Sequence, residues 1–486
     1  MAKKPSIIFI FPDQHRADVM GCSGDPVAQT PNLDKLASEG IRFERCNTNS
    51  PLCMPARTCI ITGQYVGEHG VWDNNFSANE KGPSHVRNIR DAGYTTAVLG
   101  KTHLYTHGKG HTEDSKQILL DWGYTDIHEL TGPLASAVMG SEYTDYLAEL
   151  GLLDIHRNYI KENGRVLRDV NPWYYPVCPL PTEAHLDSYT GREAVKWIKS
   201  YDGERPFYYQ ICFPGPHDPY DAPAEYRERY KLEDMPLGMV DPPDEPMSPL
   251  VSRFVNLYKN RIHIQDWTLE QRQHFRQGYY GKVTLIDYWV GEIMKALKER
   301  KLLDNTWVVY TSDHGDNLGE RGLVQKMVFF NQDQLIPLII RPPSGVKGWK
   351  SQALTDQFDI VATLLEIAGA TPPVHPHGIS LVPKILAGQK SPRAHKGKEA
   401  VFTELYGFST VLTDKYKMSI EANSLKIVEL YDMESDPKEL RNLVNEPSLE
   451  AIRKQLFNDY LQPLVNTRNE KLLDDMFERN KTPKPW

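Results

Sequence analysis

Cysteine is scarce in this sequence, with six in 486 residues. So few cysteines do not form a disulfide scaffold, and none belongs to a Cys-x-x-Cys pair of the kind that zinc sites use. Long apolar runs are missing as well. The run at 7–11 is followed by Pro12 and charged residues, and no later window approaches the ~18 apolar residues that a membrane span needs. The sequence therefore predicts a cytoplasmic protein with neither signal peptide nor membrane span.

An excess of positive charge is also absent. Lys and Arg number 56 against 64 Asp and Glu, a net charge of −8, which has the wrong sign for coating nucleic acid or anionic lipid. The phosphate-binding motifs G-x-x-x-x-G-K-[ST] and G-x-G-x-x-G after a strand do not occur, which excludes the kinase, ATPase and dehydrogenase classes. What is present is the composition of an ordinary folded protein, with 40% hydrophobic and 25% charged residues.

Four short apolar runs end abruptly in polar residues that suit catalysis or metal binding. The runs are rich in β-branched and aromatic residues, which is typical of buried strands. The runs and the polar residues that follow them are 6–11 with Asp13 and Gln14, 95–99 with Lys101 and His103, 207–213 with His217 and Asp218, and 307–310 with Asp313 and His314. Because ligands bind outside the carboxyl ends of parallel strands, we expect the four clusters to converge in one crevice.

A strong helix signal precedes the last of these strands. Thr268 can cap a helix, Gln271 follows three residues later, and an amphipathic pattern continues to Leu297. Helices that alternate with continuous apolar strands predict an α/β fold with a large, mainly parallel (mixed) sheet between helices. The stretches 163–183 and 214–249 are rich in proline or aromatic residues and are predicted to form long ordered loops near the crevice.

The pattern changes near residue 390. Short strand candidates follow at 400–405, 410–412, 416–420 and 426–431, and a helical segment at 447–460. We interpret them as a small antiparallel sheet with a helix. The predicted division is a catalytic domain at 1–389 and a C-terminal α+β subdomain at 390–486.

The most specific string is CMPAR at 53–57, followed by TG at 62–63. Cys53 precedes a proline that suits a first helical turn, so its side chain is expected at a helix N-terminus, where free N–H groups favour an anion. Arg57, one turn further on, adds a permanent positive charge that can contact two oxygens. Taken alone, the string also fits a buried thiol beside a surface arginine.

This string resembles the C-x-P-x-R…T-G signature of the sulfatases in the alkaline phosphatase superfamily. Further strings follow the order of that family: Asp13-Gln14, TPNLD at 30–34, GKTH at 100–103, Pro216-His217, SDHG at 312–315, Lys326, and LYD at 430–432 with Asp436-Pro437 and Asn442-Leu443. Residues 312–330 are most similar to the choline-sulfatase branch. The resemblance covers nearly the whole chain and implies an alkaline-phosphatase-like fold.

The resemblance implies a set of catalytic residues. Cys53 would be oxidised after translation to formylglycine, whose hydrated aldehyde provides the nucleophile. Arg57 and Lys101 would hold the anionic ester and stabilise the charge on its oxygens.

Three further residues would move protons in the implied reaction. His103 would act as the base on the second hydroxyl of the hydrated aldehyde. His217 and Lys326 would face the leaving oxygen, whose departure needs a donor.

The resemblance also implies a single divalent metal, bound by Asp13, Gln14, modified Cys53, Asp313 and His314. Oxygen-rich ligation favours a hard cation, so Ca²⁺ is expected first. Many sulfatases have Asp and Asn where this chain has Gln14 and His314, and an imidazole ligand favours Mn²⁺ or a similar metal. Mg²⁺ and Mn²⁺ therefore remain alternatives.

The function that follows is a sulfuric ester hydrolase that releases an alcohol and sulfate. The enzymatic alternative is a phosphonate monoester or phosphodiester hydrolase of the same superfamily, and the Lys101-x-His103 pair favours the sulfatases. A non-catalytic protein with this fold is the other alternative. The implied partners are a small aryl, alkyl or carbohydrate sulfate and a formylglycine-generating maturation enzyme. Neither nucleic acid nor a membrane is expected, and a homo-oligomer is left open.

Overall fold

The computed structural model describes residues 4–166, 170–373 and 376–480. In this part of the chain, the larger sheet has eight strands: β1 (Ser6–Ile10), β2 (Ile41–Asn47), β3 (Thr95–Gly100), β4 (Asp126–Glu129), β5 (Phe207–Cys212), β6 (Thr306–Thr311), β7 (Leu338–Arg341) and β8 (Trp349–Asp356). Their spatial order is β4-β3-β5-β1-β6-β7-β2-β8. Strand β7 is antiparallel to β6 and β2, and the other neighbouring pairs are parallel. The predicted large, mainly parallel mixed sheet is confirmed.

Helices cover both faces of this sheet. The α-helices of the described residues are α1 (Pro31–Ser38), α2 (Cys53–Thr62), α3 (Val66–His69), α4 (His85–Asp91), α5 (Lys116–Trp122), α6 (Glu142–Glu149), α7 (Leu153–Asn163), α8 (Leu186–Ser200), α9 (Ala224–Arg227), α10 (Pro249–Ile262), α11 (Leu269–Glu299), α12 (Asn331–Gln334), α13 (Gln357–Ala368), α14 (Val382–Ala387), α15 (Pro392–His395), α16 (Glu450–Leu456), α17 (Gln462–Asn466) and α18 (Glu470–Asn480). None of these helices is long and apolar enough to cross a bilayer.

Strand β1 shows why the predicted strands are continuous apolar runs. Ile7 and Phe9 belong to one hydrophobic core, which also contains residues of α2, α4 and α13. Ile8 and Ile10 point to the opposite face, where the second core includes residues of α1, α8 and α11. Successive side chains alternate between the faces of a strand, so a sheet covered on both sides requires apolar residues at every position.

The long helix α11 begins where its cap predicts. Thr268 Oγ1 accepts a hydrogen bond from Gln271 N, and Gln271 Oε1 accepts one from Thr268 N at 2.9 Å, so both ends of the capping box are present. The helix extends over 31 residues and contacts the proline-rich stretch 214–249, for example through Gln277 Nε2, which donates to Tyr230 O at 2.7 Å. That stretch is mostly irregular, with α9 and a 3₁₀ turn at Leu232–Asp234, as predicted for a loop. In the other predicted loop, residues 167–169 lie outside the described residues.

The C-terminal part contains an antiparallel sheet. Its strands are β9 (Ala400–Leu405), β10 (Phe408–Thr413), β11 (Tyr416–Glu421) and β12 (Ile427–Asp432), each paired with the next in sequence. The predicted helical segment corresponds to α16 with a 3₁₀ turn before it and a π-helical turn after it. The predicted small sheet with a helix is confirmed, and the domain division at residues 389 and 390 stays a prediction.

Candidate active site

The carboxyl ends of the parallel strands bring the four polar clusters together. Strand β1 leads to Asp13 and β3 to Lys101, whose Nζ atom lies 2.6 Å from Asp13 Oδ2. Strand β6 leads to Asp313, whose Oδ1 atom accepts a hydrogen bond from Gln14 N at 2.9 Å. The loop after β5 reaches the same place, because Pro216 forms an isolated parallel bridge with Asp13. The polar clusters therefore converge at one edge of the sheet, as expected.

Cys53 is the first residue of α2 and is fully buried. The next amide, Met54 N, donates to the side-chain oxygen of Asn74 at 3.0 Å, which satisfies one of the free donors at this helix N-terminus. The helix ends at Gly63, which has a φ of 69° and donates its N–H to Cys59 O. The two halves of the cysteine signature thus begin and end one helix. Asn74 was missed by sequence reasoning, because an isolated loop asparagine carries no signal of a distant cap.

Arg57 connects three strand ends. Its Nη2 atom lies 3.0 Å from Asp13 Oδ2 and its Nε atom 2.9 Å from Asp313 Oδ2. The guanidinium also donates to Lys101 O and lies over the Phe11 ring, 4.9 Å from the centroid. Burial alone would raise the pKa of Asp13, but the charges of Lys101 and Arg57 outweigh it and hold that pKa well below its usual value. The carboxylate is therefore ionised.

Four buried side chains form a candidate metal group. Ligand atoms of Asp13, Cys53, Asp313 and His314 all lie within 4.8 Å of one another. The Nδ1–H of His314 donates to Gly315 O at 2.9 Å, and its Nε2 atom lies 3.2 Å from Cys53 Sγ. That backbone bond leaves Nε2 for a cation, as in many metal sites. Burial alone would lower the pKa of His314, but the Asp313 and Cys53 charges raise it to about 9.

Gln14 lies beside this group and is fixed on several sides. Its Oε1 atom accepts a hydrogen bond from Lys326 Nζ, and its Nε2 atom donates to Asp316 and, at 3.3 Å, to Tyr220 OH. Gln14 as a metal ligand stays a prediction. Sequence reasoning missed Asp316 and Tyr220. Asp316 could have been suspected, because it follows Asp313 by only three residues.

Positive charge dominates the surroundings of the Cys53 thiol. Burial and the Asp13 charge would raise the pKa of this thiol, but Lys101 and Lys326 outweigh them, so its pKa is lowered. Both ammonium groups are buried, with 3% and 5% of their residues exposed. An anion placed at position 53 therefore meets two desolvated cations, in addition to the N-terminus of α2.

His103 lies beside Lys101 at the end of β3. Its Nδ1 atom is buried without a hydrogen-bond partner among the described residues, and its ring lies against that of His107, with centroids 5.1 Å apart. Burial together with the charges of Lys101, His107 and Arg57 lowers the pKa of His103 well below its usual value. These effects favour the neutral form of the imidazole.

Glu129 anchors the turn that carries Lys101 and His103. It lies at the end of β4, and its carboxylate accepts hydrogen bonds from the hydroxyl of Thr102 at 2.9 Å and from the Thr102 amide at 3.3 Å. The same carboxylate lies 3.6 Å from His107 Nε2. Sequence reasoning missed Glu129, because β4 is short and carries polar residues that conceal the strand.

His217 approaches the site from the loop after β5. Its Nδ1–H donates to Asp218 O at 2.7 Å, which leaves Nε2 as the ring nitrogen available to a ligand. Burial and the charges of Lys326 and Lys101 lower the pKa of His217 well below its usual value. Asp218 in turn accepts from Gln325 Nε2 at 3.1 Å, which ties this loop to the segment that carries Lys326.

Fold and site together define a hydrolase of anionic esters, and comparison with known proteins gives the family. The family model described as sulfatase matches residues 5–370, and one described as N-sulphoglucosamine sulphohydrolase, C-terminal, matches residues 319–466. The chain belongs to the sulfatase family and is a sulfuric ester hydrolase. The family predicted from the sequence motifs is confirmed.

Individual relatives agree with this assignment. An N-acetylglucosamine-6-O-sulfatase of Bacteroides thetaiotaomicron is 27% identical, over 98% of this chain and 88% of that protein. A choline-sulfatase of Rhizobium meliloti is 28% identical, over 91% and 83%. Among solved structures, a phosphonate monoester hydrolase of Agrobacterium radiobacter has a TM-score of 0.77 at 22% identity and 96% coverage of both chains, which supports the alkaline-phosphatase-like fold.

Proposed function

We propose that this chain hydrolyses a sulfate monoester with formylglycine at position 53 and one divalent cation. The observation that carries the proposal is the buried start of α2, where Cys53 Sγ lies 3.2 Å from His314 Nε2 and 3.7 Å from Asp13 Oδ1. Lys101 and Arg57 approach the same carboxylate. A nucleophile at position 53 would therefore lie among metal-ligating groups and cations at once.

The residues present fit such a cation. Asp13, Asp313 and His314 would hold it together with the modified Cys53, and the buried carboxylates supply the negative charge that a divalent ion requires. When both groups are present, formylglycine supplies a hydrated aldehyde oxygen as nucleophile and the cation draws charge from the ester oxygens. We propose Ca²⁺ as that cation, with Mg²⁺ and Mn²⁺ as alternatives because of the imidazole ligand. Oxidation of Cys53 requires a separate maturation enzyme.

The chain's own residues orient the ester and move its protons. Arg57 and Lys101 hold the sulfate oxygens, because both are buried cations with donors directed at this edge of the sheet. His103 is the base and accepts a proton at Nδ1. Its imidazole is held in the neutral form, and Nδ1 has no hydrogen-bond partner among the described residues.

Lys326 Nζ and His217 Nε2 face the leaving oxygen. Lys326 is the proton donor that is already charged before substrate binds, since the charges of Cys53 and Asp13 outweigh the effect of burial and raise its pKa. An anionic ester beside Lys326 and Lys101 would offset the charges that lower the pKa of His217, and so favour a proton on its Nε2 atom.

Phosphonate monoester hydrolysis is the second candidate, favoured by the fold similarity to the Agrobacterium enzyme. The Lys101-x-His103 pair supports the sulfatase reaction, and the relatives named for N-acetylglucosamine 6-O-sulfate and choline sulfate support small carbohydrate or alkyl sulfates as substrates. Parallel assays of 4-nitrophenyl sulfate and 4-nitrophenyl phenylphosphonate distinguish the two. We expect the higher kcat/KM on the sulfate, and a higher value on the phosphonate would contradict the proposal.

Removal of His217 or Lys326 is expected to slow substrates with poor leaving groups far more than those with good ones. A nitrophenolate departs with little protonation, whereas an alkyl or sugar alkoxide requires much, and general acid assistance contributes about 10²–10⁴-fold. We would measure kcat/KM of His217→Ala and Lys326→Ala across sulfate esters graded by leaving-group pKa. A steeper dependence of rate on that pKa supports the roles, whereas a uniform drop with an unchanged slope would show that these residues only position the substrate.

A further inference from the structure

A lysine of α11 binds the backbone of the loop that carries His217. Lys282 Nζ donates to His217 O at 2.9 Å and to Pro219 O at 3.1 Å. Only 2% of this lysine is exposed, so the ammonium is removed from water. Two backbone carbonyls, one of them belonging to His217 itself, are therefore fixed by a single buried cation.

Two buried carboxylates balance this charge and hold the loop on its other side. Asp187, in the first turn of α8, lies 3.8 Å from Lys282 Nζ, and Asp221 lies 3.6 Å from it. The Oδ1 atom of Asp187 also accepts a hydrogen bond from Gly215 N at 2.7 Å. The segment 215–221 is thus bound near both ends by one network of charges, which spans α8 and α11.

The backbone of the loop lies directly on the helix. A Cβ atom at Gly278 of α11 would overlap Tyr220 O, and one at Gly215 would overlap the carboxylate of Asp187. Tyr220 therefore rests directly on α11, and Lys282 holds the preceding carbonyls of His217 and Pro219 at the length of its side chain from the same helix.

We propose that Lys282 is a positioning residue for His217, acting through the loop backbone and touching no reacting atom. The inference rests on the proposed role of His217 at the leaving group. A buried ion network is a poor source of stability compared with apolar packing of similar volume. What the ammonium provides instead is a fixed distance, and an error of about 1 Å in a catalytic group costs about 10²-fold in rate.

The test is the leaving-group series applied to Lys282→Met, whose unbranched side chain is one atom shorter and has no donor. We expect kcat/KM to fall about 10–100-fold more for alkyl sulfates than for 4-nitrophenyl sulfate, with the same steepened slope as His217→Ala. In the His217→Ala background, Lys282→Met should change the slope no further, because the residue it positions is gone. An unchanged slope in Lys282→Met, or a further steepening in the double variant, would overturn the inference.

Arg272→Met is the matched control. Arg272 is a buried cation of the same helix that donates to two backbone carbonyls, Gly319 O and Ile264 O, both at 2.7 Å, outside the loop 215–221. The Arg272→Met variant should have a lower melting temperature than the parent, but the same dependence of rate on leaving-group pKa. If Lys282→Met does not fold, Lys282→Gln, which keeps an uncharged N–H₂ donor group, should give an intermediate slope, and a slope equal to that of the parent would overturn the inference. If His217→Ala itself leaves the slope unchanged, the proposed role of His217 fails instead.

Discussion

Replacing Cys53 with alanine is expected to abolish sulfate ester hydrolysis, with a loss of kcat on the order of 10⁴–10⁶-fold, as for removal of other enzymatic nucleophiles. Cys53 is the only residue of α2 that touches both His314 and Asp13 through its side chain in the described structure. Without it, position 53 lacks the thiol from which formylglycine would be made. The measurement is kcat on 4-nitrophenyl sulfate, with circular dichroism to establish that the fold is retained.

Cys59→Ala is the matched control for this variant. Cys59 is fully buried on the same helix, and its Sγ atom lies 3.3 Å from His69 Nε2, away from the metal group. Burial raises the pKa of its thiol well above the usual value, so it is chemically inert. Cys59→Ala should lose some stability and keep most of its activity. A Cys53→Ala variant as active as Cys59→Ala would refute the assignment of the nucleophile to position 53.

The second large effect is expected for Asp313→Asn. The variant removes one negative charge from the candidate metal group, so we expect the affinity for the cation to fall at least ~10²-fold and kcat/KM to fall about 10²–10³-fold. It also takes away the carboxylate that pairs with Arg57 Nε at 2.9 Å, which leaves that guanidinium less well oriented. The metal content after gel filtration, measured by inductively coupled plasma mass spectrometry, would check the loss of affinity. Measurements of kcat/KM at graded metal concentrations would check the loss of rate.

Asp333→Asn is the corresponding control. Asp333 is fully buried in α12, and burial raises the pKa of its carboxyl well above the usual value. Its Oδ2 atom accepts hydrogen bonds from Val328 N and Asn317 Nδ2, neither of which belongs to the candidate metal group. Its substitution should leave metal content unchanged. Equal metal content and turnover in Asp313→Asn and Asp333→Asn would refute the metal assignment.

The sequence predicted those parts of the fold whose pattern is local. Strands β1, β3, β5 and β6 are buried on both faces and are therefore continuous apolar runs. Strand β2 was missed because Arg42, Glu44 and Arg45 interrupt its apolar pattern, and β8 (WKSQALTD) because most of its residues are polar. Both lie at one side of the sheet, and both contain residues that are not fully buried.

In the candidate site as well, the sequence predicted the residues that follow a local pattern and missed those that depend on distant contacts. Asp13, Lys101 and Asp313 could be placed together from sequence because each directly follows a predicted strand, and parallel strands end at one edge. Lys282 could not, because its partner His217 O is 65 residues away and its neighbours on α11 give the pattern of an ordinary core helix. Contacts of this kind depend on how loops fold over helices, which short-range spacing does not encode.

The most direct test of the whole account is the mass of the tryptic peptide 46–57, which contains position 53. In active protein, we predict a peptide about 18 Da lighter than its thiol form, with the change located at Cys53 by fragmentation. Specific activity on 4-nitrophenyl sulfate should rise in proportion to the converted fraction across preparations made with and without a maturation enzyme. Full activity in a preparation that contains only unmodified Cys53 would contradict the account.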